Sequence, residues 1–241
     1  MNEKLIVKVY RFDPEKEKES NYETYEVPFQ HGMRIIDAIE YIQENFDGTL
    51  AFRSNCRSGR CGSDAVEVNG IAVLACKHEI KRQTKEIVVS PLKAFPVIKD
   101  LVVDFSKVYE SAKEIPAFRN SQKEKGFWKL KQEDIQEVRE LRKCIECFIC
   151  HDVCHVIRDH KTEYIGPRFV VKAASLDKHP KDEFKKRYAL LEERGIWQCN
   201  ISRCCQTNCP EKIRITDDAI IFSKERNIDN HSFLKRKERS R

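Results

Sequence analysis

The chain contains the segment Cys56-Arg57-Ser58-Gly59-Arg60-Cys61-Gly62-Ser63-Asp64, followed further along by Cys76. A C-x4-C-x2-C run with a distant fourth cysteine is the ligand pattern of plant-type [2Fe–2S] ferredoxins, and here Asp64 occupies the third ligand position. Gly59 and Gly62 would let the backbone approach the cluster sulfurs, and the two arginines of the loop would offset its negative charge. The predicted [2Fe–2S] ligands are Cys56, Cys61, Asp64 and Cys76.

Zinc centres and structural disulfides are the alternatives for this loop. Zinc accepts mixed cysteine and aspartate ligands, but its usual knuckle is C-x2-C rather than C-x4-C. Asp64 itself has two interpretations: it ligates iron, which we favour, or it lies nearby while water or another group completes the site.

A second cysteine set lies in the C-terminal half. Its run, Cys144-x2-Cys147-x2-Cys150-x3-Cys154, has the spacing of bacterial ferredoxins, in which the fourth cysteine ligates the other of two clusters. A second run, Cys199-x5-Cys205-x3-Cys209-Pro210, follows further along the chain. The spacing predicts interlaced ligation, which would keep the two clusters close enough for electron transfer. The predicted ligands are Cys144, Cys147, Cys150 and Cys209 for a [4Fe–4S] cluster, and Cys154, Cys199 and Cys205 for a second cluster.

The second of these clusters lacks a fourth thiolate, because Ser202 occupies the position where symmetry with the first run would place it. Three thiolates suit a [3Fe–4S] centre, which we predict here. Cys204, the eleventh cysteine, could substitute for its neighbour Cys205, but only Cys205 preserves the C-x3-C-Pro spacing. Cys204 is therefore expected to be a small buried hydrophobic residue. A zinc cluster with four thiolates is the alternative for this half.

Composition restricts the class of protein. The chain has 241 residues, 35% of them charged, and a net charge of +6 without a patterned basic stripe, so no nucleic-acid partner is expected. Its apolar runs are too short to cross a bilayer, and its first residues lack the features of a secretory signal. We therefore expect a cytoplasmic location, where clustered cysteines more often hold metals than disulfides.

The periodicity of the sequence changes near residue 105. In residues 1–105, short alternating segments predict strands over residues 5–10, 22–27, 66–68, 71–74 and 87–90. Ile35, Ile36, Ile39 and Ile42 predict one helix within residues 31–45. Asn69-Gly70 predicts a two-residue hairpin turn, and residues 15–19 are expected to form a hairpin tip. These features favour a β-grasp ferredoxin domain.

Helical patterns dominate residues 106–241. Helices are predicted over residues 134–144, 168–176 and 181–194, and Thr216 is a plausible N-cap for a helix running to about residue 226. Residues 104–127 are expected to be a partly helical connector. The fold class is therefore α+β: an N-terminal β-grasp plant-type ferredoxin domain (1–105) and a C-terminal all-α bacterial-ferredoxin-like domain (106–241).

The two cysteine sets together resemble the iron–sulfur subunit of succinate dehydrogenase/fumarate reductase, and most closely an actinobacterial-like subgroup. The resemblance rests on the Cys56–Asp64 loop, the Asn69-Gly70 hairpin before Cys76, Arg142-Lys143-Cys144-Ile145-Glu146-Cys147 and Ile165-Gly166-Pro167-Arg168. In this family aspartate often occupies the third [2Fe–2S] position, which supports Asp64 as a ligand.

The resemblance implies the partners and cofactors. A flavoprotein subunit would carry covalent FAD, and electrons would pass singly through [2Fe–2S], [4Fe–4S] and [3Fe–4S] clusters to quinone. A membrane anchor, often with haem b, would complete the quinone site and hold this chain peripherally on the cytoplasmic side of the cell membrane. The direction, succinate oxidation or fumarate reduction, stays open. The alternative is a soluble electron-transfer subunit of another dehydrogenase or of a heterodisulfide-type system.

The sequence departs from the family near the expected quinone site. His155 and Asp159 stand where many members have a proline and a tryptophan, and Asn200 replaces a frequent histidine. His155 is a candidate proton donor to reduced quinone, or equally a helix-end histidine bonded to a backbone carbonyl. Ser202 is a further quinone-proximal candidate, and Trp197 is expected to be core packing.

Overall fold

The computed structural model describes residues 4–16, 19–120, 130–160 and 164–239, without the side chains of residue 160 and of residues 231–239. The chain forms two compact units. The first contains the residues up to Phe105 together with Ile145–Val153, and the second contains Ser106–Cys144 and the residues from Cys154 onward. The segment Ile145–Val153, which carries Cys147 and Cys150, therefore lies with the strands of the first unit.

A five-stranded mixed sheet is the centre of the first unit, with strand order β2-β1-β5-β3-β4. Strand β1 pairs antiparallel with β2 and parallel with β5, and β3 pairs antiparallel with both β4 and β5. A small two-stranded sheet, β6 with β7, was not predicted. The strands are β1 (Lys4–Arg11), β2 (Asn21–Pro28), β3 (Ala65–Val68), β4 (Ile71–Leu74), β5 (Glu86–Ser90), β6 (Val97–Lys99) and β7 (Val102–Val103).

Helix α1 (Ile35–Asn45) covers one face of this sheet. The predicted apolar face is confirmed, since its four isoleucines are at most 2% exposed and belong to the same core as β1. Burying each such side chain contributes about 1.5–3 kcal/mol. The helix begins beside the ligand loop, because the N–H of Ile35 donates to His78 O and that of Ile36 to Ala75 O.

The predicted hairpin turn is confirmed, with Asn69 and Gly70 joining β3 to β4 at φ 51° and 79°. Both angles lie in the left-handed region, where asparagine and glycine are tolerated best. Of the predicted tip at residues 15–19, residues 17 and 18 lie outside the described chain.

The second unit is helical. It contains α2 (Ser106–Glu114), α3 (Gln132–Arg139), α5 (His155–His160), α6 (Pro167–Asp177), α7 (Arg187–Glu193), α8 (Cys204–Thr207) and α9 (Phe222–Arg239), whereas the short α4 (Ile149–Asp152) belongs to the first unit. The α+β fold class is confirmed. Among the described residues, no helix combines the length and apolar character needed to span a bilayer.

Arg187 is the buried centre of the second unit, with no exposed surface. Its Nη1 donates to Asp177 Oδ1 at 2.8 Å and to Asp182 Oδ2 at 2.6 Å. Its Nε and Nη2 donate to the carbonyls of Pro116 and Ala117, each at 2.7 Å. Among its described residues, the predicted connector is helical only over α2. The residues that follow α2 are held in the second unit by the hydrogen bonds from Arg187 to the carbonyls of Pro116 and Ala117. Residues 121–127 of the connector lie outside the described chain.

Three predicted helices differ from the observed ones. Residues 134–144 form α3 and then a separate 3-10 turn, Leu141–Lys143. Residues 181–186 are not helical, because the carboxylate of Asp182 accepts N–H bonds from Arg119 and Phe184 instead. Thr216 is not an N-cap: it lies inside a π-helical segment, Ile215–Ile221, that leads into α9.

Candidate metal centres

All eleven cysteines are free thiols. The residues proposed for the first site converge at one end of the sheet of the first unit. Cys56 and Cys61 are within hydrogen-bond reach of each other, and the N–H of Cys76 donates to Asp64 Oδ2 at 2.6 Å. The structure therefore brings the four predicted ligands together as two neighbouring pairs.

Backbone N–H groups point at the sulfurs of this loop. The N–H of Gly59 donates to Cys76 Sγ at 3.2 Å, and those of Arg60 and Cys61 donate to Cys56 Sγ at 3.2 and 3.3 Å. Backbone hydrogen bonds, first that from Ser58, lower the pKa of Cys56 to about 6. Thiolates are the form that binds iron, so this sulfur is prepared as a ligand.

Asp64 lies in a dry environment that suits ligation. Its side chain is 4% exposed, and its Oδ1 is buried without a hydrogen-bond partner. Burial, with the neighbouring Asp64 carboxylate as the next cause, raises the pKa of the Cys76 thiol to about 11. The negative charges of the Cys76 thiolate and the Asp64 carboxylate repel each other, and a cation bound between the two groups relieves this repulsion. The donor set therefore fits a metal cluster.

The arginines of the loop have different roles. Arg57, at φ 52°, forms an ion pair with Glu40 on α1. Arg60 is exposed. Arg34, at the start of α1, donates from Nη1 to Cys76 O at 2.8 Å. The helix thereby positions the distant fourth ligand, a contact that the sequence spacing did not reveal.

Cys147 and Cys150 lie on the segment Ile145–Val153, where both are buried. Glu146 and Phe148 have positive φ angles of 57° and 58°, so the cysteine run is a series of tight bends. The N–H of Ala94 donates to Asp152 Oδ1 at 3.0 Å and anchors the end of the segment. Cys144 belongs to the second unit, beside a small cleft of about 150 Å³ that includes Arg168.

Cys199, Cys205 and Cys209 lie on two turns of the second unit. Cys199 follows the 3-10 turn Ile196–Gln198, and Lys224 Nζ donates to its carbonyl at 2.5 Å. Cys205 is on α8 and 3% exposed, with its Sγ 3.6 Å from Thr216 Oγ1. Cys209 follows α8 directly.

Thr216 is a residue whose role the sequence interpretation missed. The π-helical segment is docked to α8 through Gln206, whose Oε1 accepts the N–H groups of Thr216 and Asp217 at 3.1 and 3.3 Å. The amide Nε2 of Gln206 donates to Asp217 Oδ2 at 2.9 Å and lowers the pKa of Asp217. This docking brings the Thr216 hydroxyl to the Cys205 sulfur.

The expectation for Cys204 is wrong. Cys204 is half-buried rather than buried, and its sulfur interacts with Cys154, Cys205, Ser202 and His155. The hydrogen bond between Cys154 and Cys204 raises the pKa of Cys154 and lowers that of Cys204. Cys204 therefore interacts with the neighbouring thiols and polar side chains instead of serving as an apolar core residue. Its position next to Cys205 in the sequence was the feature that could have indicated this.

The two quinone-proximal candidates meet at Cys204. Ser202 Oγ donates to Cys204 Sγ at 3.5 Å. His155 is the first residue of α5, and its ring is within hydrogen-bond reach of the same sulfur. Trp197 is not core packing, since it is 44% exposed, donates from Nε1 to Glu192 at 3.1 Å and lies under the ammonium of Lys224.

Within the described chain, no group of three or more His, Cys, Asp or Glu side chains is arranged to hold a single metal ion. A cluster makes a different demand, because its ligands surround several irons. The chemistry of the donors, free cysteines with backbone N–H groups directed at their sulfurs, fits that demand.

Family models match both halves of the chain. A 2Fe-2S iron-sulfur cluster binding domain matches residues 6–110, and a 4Fe-4S dicluster domain matches residues 140–213. The chain therefore carries both kinds of cluster-binding domain.

Similar proteins extend this finding. The chain is 37% identical over 216 residues to one of the subunits of the fumarate reductase (CoM/CoB) of Methanothermobacter marburgensis, covering 90% of this chain but 43% of that protein. It thus spans less than half the length of that relative. It is 30% identical over 220 residues to the fumarate reductase iron-sulfur subunit of Mycobacterium tuberculosis, covering 88% of this chain and 89% of the relative.

Among solved structures, a chain of the Mycobacterium smegmatis Sdh1 complex in the apo form is similar with a TM-score of 0.89 and 38% sequence identity. The match covers 95% of this chain and 98% of that one. The resemblance inferred from the cysteine motifs is confirmed. The chain belongs to the family of iron–sulfur subunits of fumarate reductases and succinate dehydrogenases.

Proposed function

We propose that this chain relays single electrons between the FAD of a flavoprotein subunit and a quinone bound at a membrane anchor. The observation that carries the proposal is the presence of a 2Fe-2S domain and a 4Fe-4S dicluster domain on one chain that matches nearly all of an Sdh1 chain. The clusters supply one-electron redox chemistry. Succinate oxidation and fumarate reduction would use the same relay in opposite directions.

The proposed ligands follow the sequence assignment. They are Cys56, Cys61, Asp64 and Cys76 for [2Fe–2S]; Cys144, Cys147, Cys150 and Cys209 for [4Fe–4S]; and Cys154, Cys199 and Cys205 for [3Fe–4S]. The proposed domains are residues 1–105 and 106–241. The chain's contribution at the first site is to pre-form a thiolate at Cys56 and to exclude water from Asp64, whose carboxylate is buried.

Quinone contact is proposed near His155 and Ser202. Both interact with Cys204, beside the proposed [3Fe–4S] ligands Cys154 and Cys205. An imidazole and a hydroxyl at this place would offer hydrogen bonds to a quinone oxygen and a route for its proton. The chain would then lie peripherally on the cytoplasmic side of the membrane, against an anchor subunit for which the family resemblance implies haem b.

A second candidate function has a specific observation in its favour. The 37% identity extends over 90% of this chain with a relative whose name specifies CoM/CoB rather than a quinone. On this alternative, the chain serves a soluble fumarate reductase or a related heterodisulfide-type system, and its clusters exchange electrons with a thiol-linked partner.

Anaerobic purification of the native complex from a membrane fraction and from a soluble fraction distinguishes the two. The main proposal predicts co-purification with a flavoprotein and a multi-span membrane chain, and quinone-dependent oxidation of succinate or its reverse. Recovery in the soluble fraction with a thiol-dependent activity would favour the second. Stoichiometric zinc with negligible acid-labile sulfide would exclude both.

A further inference from the structure

Gly62 stands where the first ligand loop meets the segment that carries Cys147, and both belong to the first compact unit. A Cβ at Gly62 would lie 2.8 Å from Cys147 Cβ, 2.8 Å from Ile145 O and 2.9 Å from Cys147 Cα. Real side chains do not approach backbone atoms so closely. Gly62 also has a φ of +69°, which favours glycine. The contact therefore requires that position 62 have no side chain.

The packing of the segment holds this contact in place. Phe148, next to Cys147, lies 4.9 Å from the ring of Phe105, measured between centroids. The hydrogen bond from Ala94 to Asp152 fixes the other end. The backbone near Cys147 is thus positioned by protein contacts of the same unit as well as by any cluster that Cys147 ligates.

We infer that the contact between Gly62 and Cys147 is the electron path from the N-terminal cluster to the next cluster, with Gly62 as its positioning residue. This inference rests on the proposed ligand assignment, in which Cys61 and Cys147 belong to different clusters. With both clusters bound, Cys61 and Gly62 would carry one electron from the [2Fe–2S] site to Cys147, a proposed ligand of the [4Fe–4S] cluster that would accept it. No bond forms or breaks and no proton moves.

The absence of a side chain matters because electron tunnelling weakens steeply with every ångström of non-bonded gap. The path from Cys61 runs through covalent bonds to Gly62 and needs one short jump to Cys147. A methyl group at Gly62 would push the two backbones apart, since Ile145 O and Cys147 Cα are backbone atoms that cannot turn aside.

Gly70, in the hairpin turn between β3 and β4 of the same unit, offers a matched control. Its φ is +79°, so alanine there suffers the same kind of backbone strain as at Gly62. A Cβ at Gly70 would meet no neighbouring atom of the described residues within 4 Å. Gly70→Ala therefore tests the effect of the backbone strain without obstructing the approach to Cys147.

The experiment compares wild type, Gly62→Ala and Gly70→Ala as anaerobically purified holo complexes. Iron and acid-labile sulfide content, with electron paramagnetic resonance spectra of each cluster, first establish that the clusters are present. Flash reduction then measures the fast electron transfer between the [2Fe–2S] centre and its neighbour. We expect loss of the fast phase in Gly62→Ala and its retention in Gly70→Ala. A fast phase unchanged in a cluster-loaded Gly62→Ala variant would overturn the inference.

A second measurement covers the case in which Gly62→Ala does not assemble its clusters. In the fully reduced wild-type protein, the spectrum of the [2Fe–2S] centre should be broadened by magnetic interaction with the neighbouring cluster. The absence of that interaction would overturn the inference whatever the variant does. A wild-type protein without iron–sulfur clusters would instead contradict the proposed function, so the two failures can be distinguished.

Discussion

Replacing Arg187 with methionine should destabilise the helical unit more than any single change at its surface. The guanidinium is fully buried and donates to the carboxylates of Asp177 and Asp182 and to the carbonyls of Pro116 and Ala117. Methionine occupies similar space with an adaptable apolar chain. The variant therefore removes the charge and its hydrogen bonds while largely keeping the packing.

The expected loss of stability follows from the two carboxylates that remain buried after Arg187 is replaced. Removing one partner of a buried ion pair costs about 3–5 kcal/mol, because the other charge is left uncompensated. Two carboxylates lose their partner here, but the cost of leaving each charge buried is partly reduced. Burial already raises the pKa of Asp177, so it can accept a proton, and Asp182 keeps the N–H groups of Arg119 and Phe184, each at 3.1 Å. We therefore expect about 3–5 kcal/mol, or a melting temperature lower by roughly 6–20 °C.

Calorimetry of the cluster-loaded protein under anaerobic conditions measures the loss of stability. Limited proteolysis gives a local readout, because Arg187 holds the carbonyls of Pro116 and Ala117, and cleavage near these residues should become faster in the variant. The matched control is Arg194→Met. Arg194 pairs with Glu114 near the surface, where such pairs contribute about 0–1 kcal/mol.

Equal melting temperatures for Arg187→Met and Arg194→Met would refute the reasoning. A triple variant, Arg187→Met with Asp177→Asn and Asp182→Asn, removes the stranded charges and should recover part of the lost stability. If the triple variant is no more stable than Arg187→Met, uncompensated carboxylates are not the cause of the loss.

Two further predictions concern the cluster ligands. Cys205→Ala should abolish the [3Fe–4S] resonance of the oxidised protein, whereas Cys204→Ala should retain it; the opposite result would show that Cys204 is the ligand. Asp64→Asn keeps an oxygen for the N–H of Cys76 but loses the charge, and should weaken [2Fe–2S] retention by at least about 10–100-fold, because losing even an outer partner of a metal ligand has an effect of that size. Asp64→Cys should restore retention, as judged by dithionite-reduced spectra and iron content, and wild-type retention in Asp64→Asn would contradict ligation by this residue.

The sequence predicted the elements whose determinants are local. The isoleucines of α1 recur at helical spacing, and Asn69-Gly70 suits the left-handed angles that the turn adopts, so both were correct. The cysteine spacings identified the family for the same reason, since a cluster imposes nearly fixed distances on ligands that are close in the chain. Residues 181–186 were predicted as helix from the same kind of pattern, but the Asp182 carboxylate accepts the N–H groups of Phe184 and of the distant Arg119, and these bonds override that local preference.

The presence of two kinds of cluster-binding domain could be inferred from the sequence, because ligand spacing is a property of short segments. Three other facts required the folded structure: Ile145–Val153 packs with the strands of the first unit, Gly62 lies against Cys147, and Cys204 contacts the thiols around Cys154. Each of these facts depends on bringing together residues far apart in the chain. Such contacts are selected by burial and hydrogen bonding of the whole unit, which no local pattern records.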